Sequence, residues 1–145
     1  MNVNSCMSTE VRLASPSESI RDAARTMKEI DAGILPVGDG DRLVGMITDR
    51  DIAVRAVAEG RGPDTAVRDV MSREVLYCYA DERLDDVARQ MRELQVRRMP
   101  VLNREKRLVG IISIGDIALT DDDGTGRAAT ALVGVSEPGG LHSQG

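Results

Sequence analysis

The sequence predicts an α/β (α+β) fold built from two copies of one small β-α-β-β-α unit. Three observations lead there. An eight-residue stretch occurs twice, as Gly45-Met46-Ile47-Thr48-Asp49-Arg50-Asp51-Ile52 and as Gly110-Ile111-Ile112-Ser113-Ile114-Gly115-Asp116-Ile117. The halves align around it. At an offset of 64, 13 of the 39 positions from 3 to 41 are identical, and after one extra residue near Lys106 an offset of 65 makes 8 of 12 identical from 42 to 53. That density marks a duplication, and the period is too long for an ordinary solenoid. Within each copy the apolar pattern alternates between strand-like runs and helical stripes.

The elements follow in chain order. The opening segment around Val11 or Val75 reads as a short strand. The next helix carries Ile20, Ala23, Ala24, Met27 and Ile30, matched by Leu84, Val87, Ala88, Met91 and Leu94, one buried stripe at i, i+3, i+4, i+7 spacing. Ser17 and Asp81 are the expected N-caps. Strands follow at Ile34–Val37 and Arg98–Val101, each holding a Pro that cannot donate to a ladder and so belongs at an edge or bulge. Turns at Gly38-Asp39-Gly40 and Asn103-Arg104-Glu105-Lys106 lead to third strands at Leu43–Ile47 and Leu108–Ser113. A closing helix runs from Asp51 towards Glu59, with a shorter counterpart from Asp116 to about Thr120. Glu59–Asp64, with two Gly and a Pro, breaks the pattern, and Thr65 is expected to cap a short helix through Val70. These marks give a first repeat at 1–60, a linker at 61–66, a second repeat at 67–120 and a tail at 121–145. The tail has six Gly and is expected to be disordered, apart from a helical turn at Ala128–Leu132.

Composition narrows the function. The chain has 145 residues, 41% of them apolar, with two Tyr and neither Phe nor Trp, so base stacking on aromatic platforms is unsupported. A net charge of −5 argues against nucleic-acid binding. No apolar run approaches a membrane span and no signal-peptide pattern opens the chain, which points to the cytoplasm. Cys6 and Cys78 lack metal-type spacing and read as reduced thiols. His142 is the only histidine. No His-based triad, multi-His metal site or nucleophile–base pair is available, so no enzyme is predicted, with neither catalytic nor metal-binding residues.

The repeated stretch carries the chemistry. In each copy an apolar, β-branched run ends on a hydroxyl, Thr48 or Ser113, and an acid, Asp51 or Asp116, stands three places later. That is a helix start close to a capping box. Unpaired N–H groups and the helix dipole favour anions there.

With Pro-Val ending one strand and Gly-h-h-Thr/Ser-x-x-Asp closing the next (h, apolar) in both halves, residues 1–120 resemble tandem CBS domains, a stand-alone Bateman module. The resemblance implies two repeats packed sheet to sheet about a pseudo-two-fold axis, with two ligand clefts between them. It implies an adenosine-type small molecule, with AMP, ADP, ATP or S-adenosylmethionine as candidates, and no certain cofactor. It also implies a flat homodimer and a regulated protein partner. In the family the Ser/Thr contacts phosphate or ribose and the Asp accepts from ribose hydroxyls, roles that match Thr48 and Asp51 in the first copy and Ser113 and Asp116 in the second. Arg97 and Arg98, ahead of Pro100, match basic residues that reach the phosphate in AMP-sensing members, a task suited to a bidentate guanidinium. Gly33 and Ile34 stand there in the first copy, so its cleft is expected to take a less anionic ligand or to stay empty. The second copy departs from the first in reading Ile114-Gly115 for Asp49-Arg50, which removes a basic residue from that loop; if a ligand needs one there, Arg50 favours the first cleft instead. The alternative is an interaction module with the same fold and no nucleotide, in which the repeated hydroxyl and acid only cap helices.

Overall fold

The computed structural model describes residues 1–120; the expectations for 121–145 lie outside the described residues. The elements are α1 (Ile20–Ile30), β1 (Ile34–Asp39), β2 (Arg42–Thr48), α2 (Asp49–Asp51, continuing as a π-helix over Ile52–Val57), β3 (Cys78–Tyr79), α3 (Leu84–Leu94), β4 (Arg98–Leu102), β5 (Leu108–Ser113) and α4 (Ile114–Leu119). Among the described residues, packing divides the chain into two units, one of Arg12–Val75 and one of Met1–Val11 together with 76–120. The opening segment of each sequence copy therefore packs with the body of the other copy.

In the unit Arg12–Val75, α1 starts at Ser19, whose hydroxyl accepts the Asp22 N–H at 3.1 Å. Asp22 in the first turn complements the helix dipole. The helix ends on Asp31, in the left-handed region at φ 53°. It buries Ile20, Ala23 and Met27, whereas Ala24 faces solvent and Ile30 is half-buried, so the stripe is narrower than the sequence suggested. Strands β1 and β2 pair antiparallel, Ile34 opposite Thr48 and Pro36 opposite Met46, with a register shift at Val37/Gly38. Met46 turns both its N–H and C=O to Ser72, at 2.9 and 2.8 Å. Pro36 thus sits where β1 and β2 exchange no bond, and its missing donor costs nothing. The other side of β1 carries a single parallel bridge from Ala14 to Val37, not the strand expected around Val11.

The same segment 65–75 closes this unit. It forms a 3-10 turn at Val67–Asp69. Thr65 does not cap that turn; its hydroxyl donates to the Gly62 carbonyl at 2.6 Å. A Cβ on Gly45 would lie 2.7 Å from the Ser72 carbonyl oxygen and 2.8 Å from Met71 Sδ, so glycine lets segment 67–75 lie against β2. The core gathers Leu35, Val37, Ile47, Val67, Val70 and Met71 around α1.

In the other unit β4 is central, with β3 parallel on one side and β5 antiparallel on the other. The strand expected around Val75 lies instead at Cys78–Tyr79. Pro100 is in the central strand, not at an edge. It faces Ile111, whose N–H and C=O are bonded to Ser8 at 2.9 and 2.8 Å, so again no ladder bond is lost. Met1–Val11 repeats the role of 65–75: Asn2 bridges Arg83, Ser8 bridges Ile111, and Val3 is fully buried. A Cβ on Gly110 would meet Met7 Sδ at 2.6 Å and the Ser8 oxygen at 2.8 Å. Helix α3 buries Leu84, Val87, Ala88 and Met91. Its N-cap is Arg83, without a side-chain cap. Asp81 is taken by Arg104, which binds it through two nitrogens at 2.8 and 2.9 Å and lies 4.0 Å over the Tyr79 ring. That pairing holds the Asp81 carboxyl below its ordinary range. Ser17 likewise does not cap α1; its hydroxyl shares a 3.1 Å bond with that of Ser15.

Candidate functional site

Both repeated stretches fold as strand running directly into helix. Thr48 ends β2 in extended geometry. Its hydroxyl accepts the Asp51 N–H at 2.9 Å while its own N–H donates to Asp51 Oδ2 at 3.0 Å. Ser113 and Asp116 make the same box at 3.1 and 3.0 Å. Each hydroxyl and acid thus satisfies a helix start.

One bond ties each helix start to the residue just ahead of the hairpin's first strand. The Asp49 N–H donates to the Gly33 carbonyl at 2.9 Å, and the Ile114 N–H to the Arg97 carbonyl at 3.0 Å. Register then puts Ile34 beside Thr48 and Arg98 beside Ser113, with cross-strand Cβ atoms roughly 4.5–5.5 Å apart. The second copy therefore brings together Arg98, Ser113 and Asp116, with Arg97 joined through its backbone. The first brings Thr48 and Asp51 together behind an apolar Ile34.

The two sites differ in what is left unsatisfied. Arg98 is half-buried, and its Nη1 is buried without a hydrogen-bond partner among the described residues. An unpaired buried donor on a cation is costly and suits an anionic acceptor. Asp116 uses Oδ2 for the cap, and its Oδ1 has no partner among the described residues. Arg97 is exposed, as is Arg50. In the first copy Oδ1 of Asp51 faces Arg55 Nε at 3.9 Å, and the Asp51 side chain is only 17% exposed. Arg55 escaped the sequence reading; the i, i+4 spacing from Asp51 was the available signal. A hollow of about 290 Å³ beside this helix start is lined by Met27, Lys28, Asp31, Gly33, Asp49 and Ile52, among others.

Cys78 lies in the core, and burial, with Glu82 and Cys6 adding to it, pushes its thiol up to about 12, the reverse of a nucleophile's environment. Among the described residues no three His, Cys, Asp or Glu are grouped to hold a metal. No helix of the described residues is long and apolar enough to cross a membrane.

A family model described as CBS domain matches residues 3–57 and 67–122. CBS domain-containing protein YhcV of Bacillus subtilis (strain 168) is 38% identical over 135 residues, 93% of this chain and 95% of its own. The crystal structure of Hypoxic Response Protein I with two coordinated zinc ions superposes with a TM-score of 0.72 at 37% identity, over 82% of this chain and 98% of that one. CBSX2 in complex with AMP gives 0.70 at 27% identity, covering 82% and 94%. The CBS domain pair of protein MJ0100 with 5′-methylthioadenosine and S-adenosyl-L-methionine gives 0.69 at 30%, covering 83% and 98%.

Proposed function

This chain belongs to the CBS-domain family and carries two of its repeats, and from that premise we propose that it is a non-enzymatic regulatory module that senses an adenine nucleotide or related adenosyl compound. The observation that carries the reading is Arg98 Nη1, unpartnered among the described residues, next in register to Ser113 and near an Asp116 with one carboxylate oxygen to spare among those residues. A guanidinium donor, a hydroxyl and an acceptor-only carboxylate match a phosphate and a ribose diol. The relatives that hold AMP, methylthioadenosine and S-adenosylmethionine support this ligand class.

On this reading Arg98 and Arg97 take the phosphate, Asp116 the ribose, and Thr48 with Asp51 a less anionic adenosyl ligand in the first copy. Calorimetry with paired ligands tests it. Arg98→Ala should weaken AMP by about 1.5–3 kcal/mol, the range for hydrogen bonds to a charged group, and leave adenosine almost unchanged. Asp116→Asn should weaken both, while Asn still serves a helix start. Equal losses of AMP and adenosine in Arg98→Ala would remove the phosphate role.

One observation favours a second reading, an interaction module without a nucleotide. Both hydroxyl–acid pairs are already engaged as capping boxes, so the fold alone accounts for them. Failure of wild-type protein to bind AMP or adenosine at millimolar concentration would favour it. Under either reading the module acts in the cytoplasm through a protein partner and pairs as a homodimer by helical surfaces. Val54 and Val57 are exposed by 47% and 68%, beside an apolar hollow of about 380 Å³ between α1 and α2. Light scattering should return a dimer at micromolar concentration; a monomer removes the pairing.

A further inference from the structure

We infer that Arg55 is a positioning residue that couples a ligand on Asp51 to the segment 67–73. The inference rests on the reading of Asp51 as a ribose acceptor and adds a route by which occupancy of the first site is passed on. Arg55 has two sets of contacts. Its Nε lies 3.9 Å from Asp51 Oδ1. Its Nη1 donates to the carbonyls of Val70 at 3.3 Å and Met71 at 3.1 Å. Those carbonyls precede Ser72, which pairs with Met46, and Met71 and Ser72 lie against Gly45. The arginine therefore joins the helix start to segment 67–73.

The helix that carries it is irregular. From Ile52 to Val57 it is a π-helix, with the Ala58 N–H on the Ala53 carbonyl and the Arg61 N–H on the Ala56 carbonyl, both at 2.9 Å. Such i+5 turns are rare and recur at functional positions. The second copy has a regular α4, and Thr120 holds the position of Arg55, its hydroxyl donating to Ile117 of its own helix at 2.9 Å. The link belongs to the first copy.

Competition for one oxygen makes the link respond to ligand. Asp51 Oδ2 already accepts from the Thr48 N–H, which leaves Oδ1, the oxygen that Arg55 faces, with the larger acceptor capacity for a ribose diol. A ligand there displaces Nε, frees the guanidinium to turn, and weakens its hold on Val70 and Met71. By linkage, whatever loosens the segment raises affinity at Asp51 by the same factor. The pair is partly exposed, so the factor is modest, up to about fivefold.

Hydrogen exchange by mass spectrometry on full-length protein tests this, with Asp116→Asn present to weaken the second site and adenosine as the probe. Saturating adenosine should speed exchange at the amides of Val70, Met71 and Ser72. With Arg55→Met added, adenosine should bind up to about fivefold tighter and leave the exchange of those amides unmoved. Arg55→Lys keeps the charge without the fork and should retain the weaker affinity, which separates the charge at Asp51 from any general loss of folding. Unchanged exchange on saturation, or the same adenosine response in Arg55→Met, overturns the coupling while leaving Asp51 a ribose acceptor. If Asp116→Asn protein binds no adenosine with or without Arg55, both the coupling and the role of Asp51 fall.

Discussion

The two copies agree in their scaffold and differ in what they offer a ligand. Both use a glycine, Gly45 or Gly110, to let a Met-Ser pair lie against the third strand. Both close a capping box at the next helix start, and both put a proline where the hairpin exchanges no bond. The differences cluster around the helix start: Gly33-Ile34 against Arg97-Arg98, Arg55 against Thr120, a π-helix against a regular one. The shared features are those each copy needs in order to fold. Thr48, Asp51, Ser113 and Asp116 by themselves therefore say little about a ligand. The weight falls on the asymmetric residues, above all Arg98.

The largest effect is expected at the exchanged segments. Deleting residues 1–9 removes buried Val3 and the bonds of Val3, Asn4 and Ser8 to Glu82, Ala80 and Ile111. Large-to-small core losses alone cost about 2–5 kcal/mol. Hydrogen exchange should show α3 and β5 opening while α1 and β2 stay protected. Equal loss of protection in both units would show that they are not energetically separate.

A smaller perturbation targets the glycines. In Gly110→Ala the new methyl meets a backbone oxygen that cannot yield as a flexible side chain can, and overpacking costs typically 1–3 kcal/mol. Gly45→Ala should cost a similar amount, since its contacts are equally short. Denaturant unfolding that found either change neutral would show that the segment can retreat from its strand.

The mildest effect is expected at a helix cap. Ser19 caps α1, while Arg83 at the matching position of α3 makes no side-chain cap. Arg83→Ser should stabilise the protein by about 0.5–1 kcal/mol, read from the denaturation midpoint. No gain would mean that the arginine makes up for the missing cap in another way.

The paired hairpins, both long helices and the capping boxes were legible in the sequence because each depends on neighbours within about 15 residues: apolar spacing, a hydroxyl, an acid, a proline. The exchange of opening segments was not, because two copies with the same Met-Ser pattern specify the slot but not which copy fills it. Caps were misplaced where several suitable residues crowd together. Ser15, Ser17 and Ser19 all precede α1, and Asp81 is drawn away by Arg104, 23 residues distant. At the site, residue types were readable in advance, but the stranded donor of Arg98 and the two-way grip of Arg55 depend on packing that no local pattern encodes.

The exchanged segments also bear on the order in which the protein can be made. Arg12–Val75 is one unbroken stretch, so all of its packing partners are present once residue 75 has left the ribosome, and domains tend to fold as they emerge. Residues 1–11 emerge ahead of that stretch, yet their partners begin at Leu76. Throughout that interval Val3 and Met7 have no core to enter. This segment is thus sheltered later than the stretch that follows it, and a factor that binds short apolar segments during translation would find its target there.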